Sequence, residues 1–199
     1  MIDNTSDLIL ASSSEVRSKI LKNAGVQFCV HPANVDEVQI KTNSANLPAE
    51  TLASKLAILK AQEVSEKFVK QLVIGADQVL ECEGILFDKP LEYKEAQRTL
   101  LKLRGKTHQL VSSVCVVVEG KIVWSRTDFA RLTMLNLSNK DIDHYLNKAG
   151  SSIFSCVGAY RLEDIGIQLF KKIEGDYFTI LGLPLLPLLD FLRTHSAKK

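Results

Sequence analysis

The chain has 199 residues, of which 46% are apolar and 24% charged, the balance of a soluble globular protein with room for one sizeable domain, or one domain with two lobes around a cleft. A net charge of +2 implies no strongly basic face, so polymeric nucleic acid is not the expected partner. Cys29, Cys82, Cys115 and Cys156 lie far apart with no C-x-x-C pair, which argues against a zinc site or a disulfide framework and for reduced thiols in a cytoplasmic protein. Asp3 and Asp7 precede the first apolar run and no basic n-region accompanies them, so no signal peptide is expected. The most apolar segment, Ile180 to Leu192, is interrupted by Pro184, Pro187 and Asp190 and is too short and broken to span a membrane.

In chain order, Leu8-Ile9-Leu10-Ala11 predicts a short buried strand. Ser12 and Glu15 have capping-box spacing, with Ser14 as an alternative N-cap, and Val16, Ile20, Leu21 and Ala24 then share a helical face closed by Gly25. Free N–H groups, three hydroxyls and Arg17 at one helix start read either as a phosphate cradle or as a well-capped helix with a solvated arginine. Gln27 to His31 alternates as a strand, and Asp36-Glu37 follow in a loop as a cap or as part of a metal ligand set. Pro48 to Phe68 predicts the longest helix, with Ala53, Ala57, Ala61 and Val64 on one face and Lys60 within it, either snorkelling or reaching an anion in a cleft.

Leu72 to Gln78 is the stretch that orders the rest. Leu72-Val73-Ile74 suit a buried strand, and Gly75-Ala76 leave room for another backbone or a ligand. Asp77 is expected where that strand ends, at the rim of a cleft, where open α/β sheets place their chemistry; the alternative is an acid that starts a turn. Val79–Cys82 and Ile85–Phe87 predict a hairpin around Glu83-Gly84, and Lys89 follows in a loop. Tyr93 to Arg104 predicts a helix, Thr107–Val118 with Ile122–Leu132 a long hairpin, and Ser138 the N-cap of a helix to Lys148. Gln168 to Ile173 precedes a turn at Glu174-Gly175-Asp176, Tyr177 to Leu181 is expected as a last strand, and Leu183-Pro184 opens a C-terminal helix. Alternating strands and helices together with two hairpins predict an α/β fold with a mixed sheet.

The chain holds no G-x-x-x-x-G-K-[ST] loop, no G-x-S-x-G elbow and no H-E-x-x-H. It offers acids (Glu37, Asp77) and cations (Arg17, Lys60, Lys89), the parts that phosphoanhydride hydrolysis needs: positive charge on a polyphosphate, and carboxylates to hold Mg²⁺ and orient a water. Several ordered motifs resemble the Maf family of nucleoside triphosphate pyrophosphatases over almost the full length. Leu10-Ala11-Ser12-Ser13-Ser14 with Arg17 resembles the family's opening L-A-S-x-S-P-R-R. Asp36-Glu37, Lys60-Ala61, Gly75-Ala76-Asp77 and Lys89-Pro90 match its D-E, K-A, G-A-D and K-P. Gly105-Lys106-Thr107-His108, Gly158-Ala159-Tyr160 and Gly182-Leu183-Pro184 resemble its G-x-T-H, G-A-Y and G-L-P.

The resemblance implies one domain over 1–199 with an elongated mixed-sheet fold, two lobes around a deep cleft, and kinship with inosine triphosphate pyrophosphatases. It implies hydrolysis of a nucleoside triphosphate to the monophosphate and pyrophosphate with a divalent cation, Mg²⁺ or Mn²⁺. Asp77 would activate water, Glu37 would join it at the metal, and Ser14, Arg17, Lys60 and Lys89 would hold the phosphates. The expected partner is the triphosphate, with no membrane and with a homodimer as an open option. Glu15 and Val16 depart from the P-R of the opening motif, and Ser155-Cys156-Val157 stands where many members have D-K-A. Gln78 and Glu163 are similar to residues of members that hydrolyse 7-methyl-GTP, which implies a guanine-type base; the alternatives are a dTTP/UTP pyrophosphatase, or a non-catalytic nucleotide-binding regulator of cell division.

Overall fold

The computed structural model describes residues 8–44 and 46–196; Asp3 and Asp7 lie outside them. Strands β1 (Leu8–Leu10), β2 (Cys29–Val30), β3 (Leu72–Cys82), β4 (Ile85–Phe87), β5 (Thr107–Val118), β6 (Lys121–Met134) and β7 (Phe170–Glu174) form one seven-stranded sheet in the order β2-β1-β3-β5-β6-β7, with β4 added to β3. The β1–β2 and β1–β3 pairs are parallel and the others antiparallel, so the sheet is mixed, as expected. The helices are α1 (Glu15–Asn23), α2 (Glu37–Thr42), α3 (Ala49–Ser65), α4 (Tyr93–Leu103), α5 (Asn139–Ala149), α6 (Tyr177–Ile180) and α7 (Leu185–Ser196).

Strand β3 positions the site. β5 pairs with it from Val73 to Glu81 along one edge. On the other edge β1 pairs with Leu72–Ile74 and β4 with Leu80–Cys82, so among the described residues Gly75 to Val79 have no strand beside them there. Asp77 is therefore not at a strand end, as the sequence predicted. It sits mid-strand, where the sheet edge has a gap, because Val79 to Cys82 continue the strand that Leu72 begins.

Side chains alternate across a strand. Leu72, Ile74 and Ala76 face a core completed by α1 and α7, whereas Leu80 and Cys82 on the same face belong to a second core with α4 and α5. The opposite face of β3, with Val73, Gly75, Asp77 and Val79, packs on α3. Ala53, Ala57, Ala61 and Val64 form the fully buried stripe that the helical period predicts. A Cβ on Gly75 would lie 2.1 Å from the Ala57 carbonyl oxygen and 2.8 Å from the Ala61 Cβ. Only glycine admits α3 this close to β3, so the room left at Gly75 is taken by another backbone.

Of the two N-caps the sequence offers for α1, the structure uses Ser14. Two local expectations are corrected. Asp36 accepts from Gln39 N and starts a six-residue helix where a loop was expected. Tyr177 to Leu181 is not a strand; Asp176 accepts from Thr179 N and caps the single helical turn α6.

Candidate active site

Each chemical group reaches the gap by a separate local cause. The Ser14 hydroxyl accepts from Arg17 N at 3.3 Å and fixes the first turn of α1. Ser12 Oγ accepts from Ser14 N and, at 3.1 Å, from Arg17 Nη1. The same Nη1 donates to the Ala76 carbonyl at 3.0 Å, and Nε donates to the Gly182 carbonyl at 2.8 Å. Arg17 thus takes a backbone acceptor on the stretch of β3 that has no neighbouring strand, one residue from Asp77.

Lys60, about one turn after Ala57 and next to Ala61, is carried by the close α3–β3 contact onto Asp77. Its Nζ donates to Asp77 Oδ1 at 2.6 Å and lies 2.7 Å from Glu37 Oε1. Lys60 is 8% exposed and Asp77 5%, so this lysine does not snorkel to solvent. A buried carboxylate and a buried ammonium each need the other, because an unpaired charge there is strongly disfavoured. Glu37 stands at the first turn of α2, half-exposed, and completes a carboxylate–ammonium–carboxylate bridge.

The electrostatics couple six charged groups. Burial pushes the Glu37 carboxyl up, but Lys60, by charge and hydrogen bond, with Lys41 and Lys89, outweighs it and holds Glu37 below the ordinary carboxylate value. Desolvation lowers Arg17, and Asp77 and Glu37 oppose that shift. Lys89, in the loop after β4, is held below the usual lysine value by desolvation and by repulsion from Arg17 and Lys60, against the attraction of Glu37 and Asp77. Crowded cations whose charge is only partly matched by nearby acids are poised to take an anion. A cavity of about 330 Å³ is lined by Lys41, Leu52, Val79, Leu86, Phe87 and Asp88, and none of Arg17, Glu37, Lys60, Asp77 and Lys89 lines it.

The structure therefore brings Arg17, Glu37, Lys60, Asp77 and Lys89 together, with Ser14 at the base of Arg17. It places the other two residues differently. Gln78 follows Asp77 in the strand and so points to the opposite sheet face, where its amide donates to Ser112 Oγ and to the Thr179 and Ile180 carbonyls. Glu163 accepts from Arg161 Nε at 3.0 Å in the loop beyond Tyr160. The Cys156 thiol is raised mainly by burial; the Ser155 hydrogen bond, Arg161 and Lys89 lower it and Glu163 raises it. Sequence reasoning missed Ser12 as the seat of Arg17, Lys41 beside Glu37, and Arg161. Arg161 and Glu163 are two apart in one loop, the one signal that could have paired them.

The family model described as Maf-like protein matches residues 7–195. The chain belongs to the Maf family. It is 50% identical over 193 residues to a nucleoside triphosphate pyrophosphatase of Paramagnetospirillum magneticum, covering 94% of this chain and 98% of that protein. It is 46% identical over 191 residues to a 7-methyl-GTP pyrophosphatase of Rhizobium etli, covering 95% and 96%. Among solved structures, a dITP/XTP pyrophosphatase of Mycobacterium abscessus aligns at a TM-score of 0.42 and 15% identity, over 65% of this chain and 74% of that one.

Proposed function

We propose that this Maf protein hydrolyses nucleoside triphosphates to the monophosphate and pyrophosphate at the Glu37–Lys60–Asp77 bridge. The observation that carries the reading is a buried aspartate, paired with a buried lysine, on the gapped edge of β3 among Arg17, Lys89 and Glu37. The names of the full-length relatives agree with it.

Arg17 with the Ser12–Ser14 cap, Lys60 and Lys89 hold the polyphosphate by charge and hydrogen bonds. Asp77 Oδ1 is taken by Lys60, which leaves Oδ2 to accept a proton from water. The water oxygen forms a bond to the α-phosphorus, the bond from that phosphorus to the oxygen bridging to the β-phosphate breaks, and pyrophosphate leaves carrying the electron pair. Positive charge from Lys89 and Arg17 stabilises that leaving group.

Among the described residues no cluster of three or more histidine, cysteine, aspartate or glutamate side chains could by itself hold a metal ion. The donor set still fits Mg²⁺ or Mn²⁺. Two carboxylates already share one positive charge, and Mg²⁺ is commonly held by one or two carboxylates together with substrate phosphates and water. Glu37 and Asp77 would hold it; when bound, such an ion neutralises charge developing on the phosphoryl oxygens.

Within this activity, guanine-type triphosphates are the preferred class. A carboxylate at Glu163 accepts from the adjacent N1–H and 2-amino donors of guanine and repels the carbonyls that flank N3–H in uracil and thymine. No helix among the described residues is long and apolar enough to cross a membrane, and a cytoplasmic location suits a nucleotide substrate. The test is a panel of triphosphates with Mg²⁺ or Mn²⁺ and product analysis. Monophosphate and pyrophosphate support the reading. Diphosphate and orthophosphate, or no turnover with any base, overturn it.

A further inference from the structure

The Gly105-Lys106-Thr107-His108 and Gly158-Ala159-Tyr160 motifs take no part in the phosphate chemistry above. The fold joins them. His108, the second residue of β5, shares a hydrogen bond of 2.7 Å between its Nε2 and the Tyr160 hydroxyl. His108 is 2% exposed and Tyr160 6%. Phe170, at the start of β7, stands edge-on to the Tyr160 ring at 4.8 Å and lies 5.9 Å from the imidazole. The other imidazole nitrogen, Nδ1, is among the described residues the one buried side-chain polar atom with no partner in the protein. An unpaired buried polar atom offsets what one neutral hydrogen bond contributes, and two apolar side chains would fill the same space. Fold stability by itself therefore gives no account of this pair.

The backbone before Tyr160 is shaped to deliver its ring to His108. A Cβ on Gly158 would lie 2.3 Å from Tyr160 Cε1 and 2.9 Å from Leu80 Cδ1. The ring thus folds back over Gly158 beside Leu80, three residues beyond Asp77 on β3. Ala159 between them is fully buried with φ +57°, the left-handed region that an alanine seldom adopts. Such a conformation persists only where its surroundings over-determine it. The Tyr160–His108 bond acts on the very next side chain. Beyond it Leu162 is buried in the same core, and Glu163 follows in the turn where it accepts from Arg161 Nε.

We propose that His108 and the Tyr160 hydroxyl are a positioning pair for base selection: they hold the left-handed turn at Ala159 and so aim the segment that carries Glu163. This rests on the reading of Glu163 as the group that meets the base. The hydrogen bonds of Arg17, Lys60 and Asp77 run to other partners. Loss of the pair therefore changes discrimination between bases and leaves phosphate binding alone.

The experiment centres on Tyr160→Phe, which keeps the ring and its packing and removes only the hydroxyl. Hydrolysis of GTP, 7-methyl-GTP, UTP and dTTP is followed at varied concentration, with pyrophosphate affinity by calorimetry. The ratio of kcat/KM for GTP to that for UTP is expected to fall by roughly tenfold, the worth of one weakened hydrogen bond to a charged group. The loss appears in KM for the guanine substrates, while UTP hydrolysis and pyrophosphate affinity hold. His108→Leu reproduces the loss, and decides the matter if Tyr160→Phe does not fold. His108→Gln, whose amide still bonds the hydroxyl, keeps the ratio. Adding Ala159→Gly to Tyr160→Phe restores part of it, because glycine takes the left-handed turn without strain. A folded Tyr160→Phe protein with an unchanged ratio, or with GTP and UTP hydrolysis falling together, overturns the proposal. If Glu163→Gln leaves the ratio of the unmodified protein unmoved, or no triphosphate is hydrolysed, the base or pyrophosphatase reading fails by itself. The backbone amide resonances of residues 161–163 then decide the pair: they shift in Tyr160→Phe if it aims the segment, and stay in place if it does not.

Discussion

Gly75→Ala adds one methyl group to the β3 face that meets α3. Built on the backbone, that Cβ lies 2.1 Å from the Ala57 carbonyl oxygen, 2.8 Å from the Ala61 Cβ and 2.9 Å from the Ala61 nitrogen. Carbon atoms settle at about 3.5–4.0 Å, so α3 must retreat by roughly 1 Å or more. All three atoms are helix backbone or Cβ, and none can rotate away. Overpacking of this kind destabilises by about 1–3 kcal/mol, and a protein of this size shifts by about 2–4 °C per kcal/mol, so the melting temperature falls by several degrees. The retreat also carries Lys60 away from Asp77, and a misplacement of about 1 Å at a reacting centre lowers rate by roughly 10²-fold. Thermal melting and pyrophosphate release from GTP measure both effects on one preparation. A Gly75→Ala protein with unchanged melting temperature and full turnover would refute the claim that close α3–β3 contact builds the site.

The two lysines are predicted to differ. Lys60→Ala strands the buried Asp77 carboxylate, and breaking a buried pair this way costs about 3–5 kcal/mol, so both melting temperature and turnover fall. Lys89 keeps an exposed side chain even though neighbouring groups partly desolvate its ammonium, so Lys89→Ala lowers turnover with the melting temperature held. Equal melting temperatures for the two variants would contradict the burial argument. Glu163→Gln should shrink the preference for GTP over UTP, and a ratio that stays fixed removes Glu163 from base reading. His108, 2% exposed and bonded through Nε2 to the Tyr160 hydroxyl, is pushed down to about 4 by burial. The unfolded chain binds that proton first, so stability is intact above the ordinary histidine value of 6.5 and falls by about 3 kcal/mol as pH drops from there toward 4. Denaturant titrations across that window should show the slope, and His108→Gln should flatten it; an equal slope in the variant would assign it elsewhere.

Much of the site was legible because it lies on long periodic elements. The alanine stripe of α3 has a strong helical period, and Lys60 within it was out of place on a packed face. Asp77 was legible as an acid after a buried run, but its position was misread. Nothing local shows that Val79 to Cys82 extend the strand of Leu72, because the gap in the sheet edge belongs to the pairing of β1 and β4. Adjacent residues of a continuous strand face opposite ways, so Asp77 and Gln78 leave β3 on opposite faces. Helices α2 and α6 span six and four residues, too few for a period to show, and each is announced only by an aspartate cap. The bridge from Lys60 to Glu37 is a tertiary contact between two helices, and no spacing encodes it.

The central claim is that Asp77 is the water-activating base of a triphosphate pyrophosphatase. Asp77→Asn keeps the shape and one acceptor oxygen toward Lys60 while removing the basic carboxylate. The direct measurement is single-turnover hydrolysis of GTP by this variant beside its GTP affinity. The account predicts affinity within a few-fold of the unmodified protein and a rate lower by roughly 10²–10⁴-fold, the usual worth of a general base. A folded Asp77→Asn protein that hydrolyses GTP at a near-normal rate would contradict it.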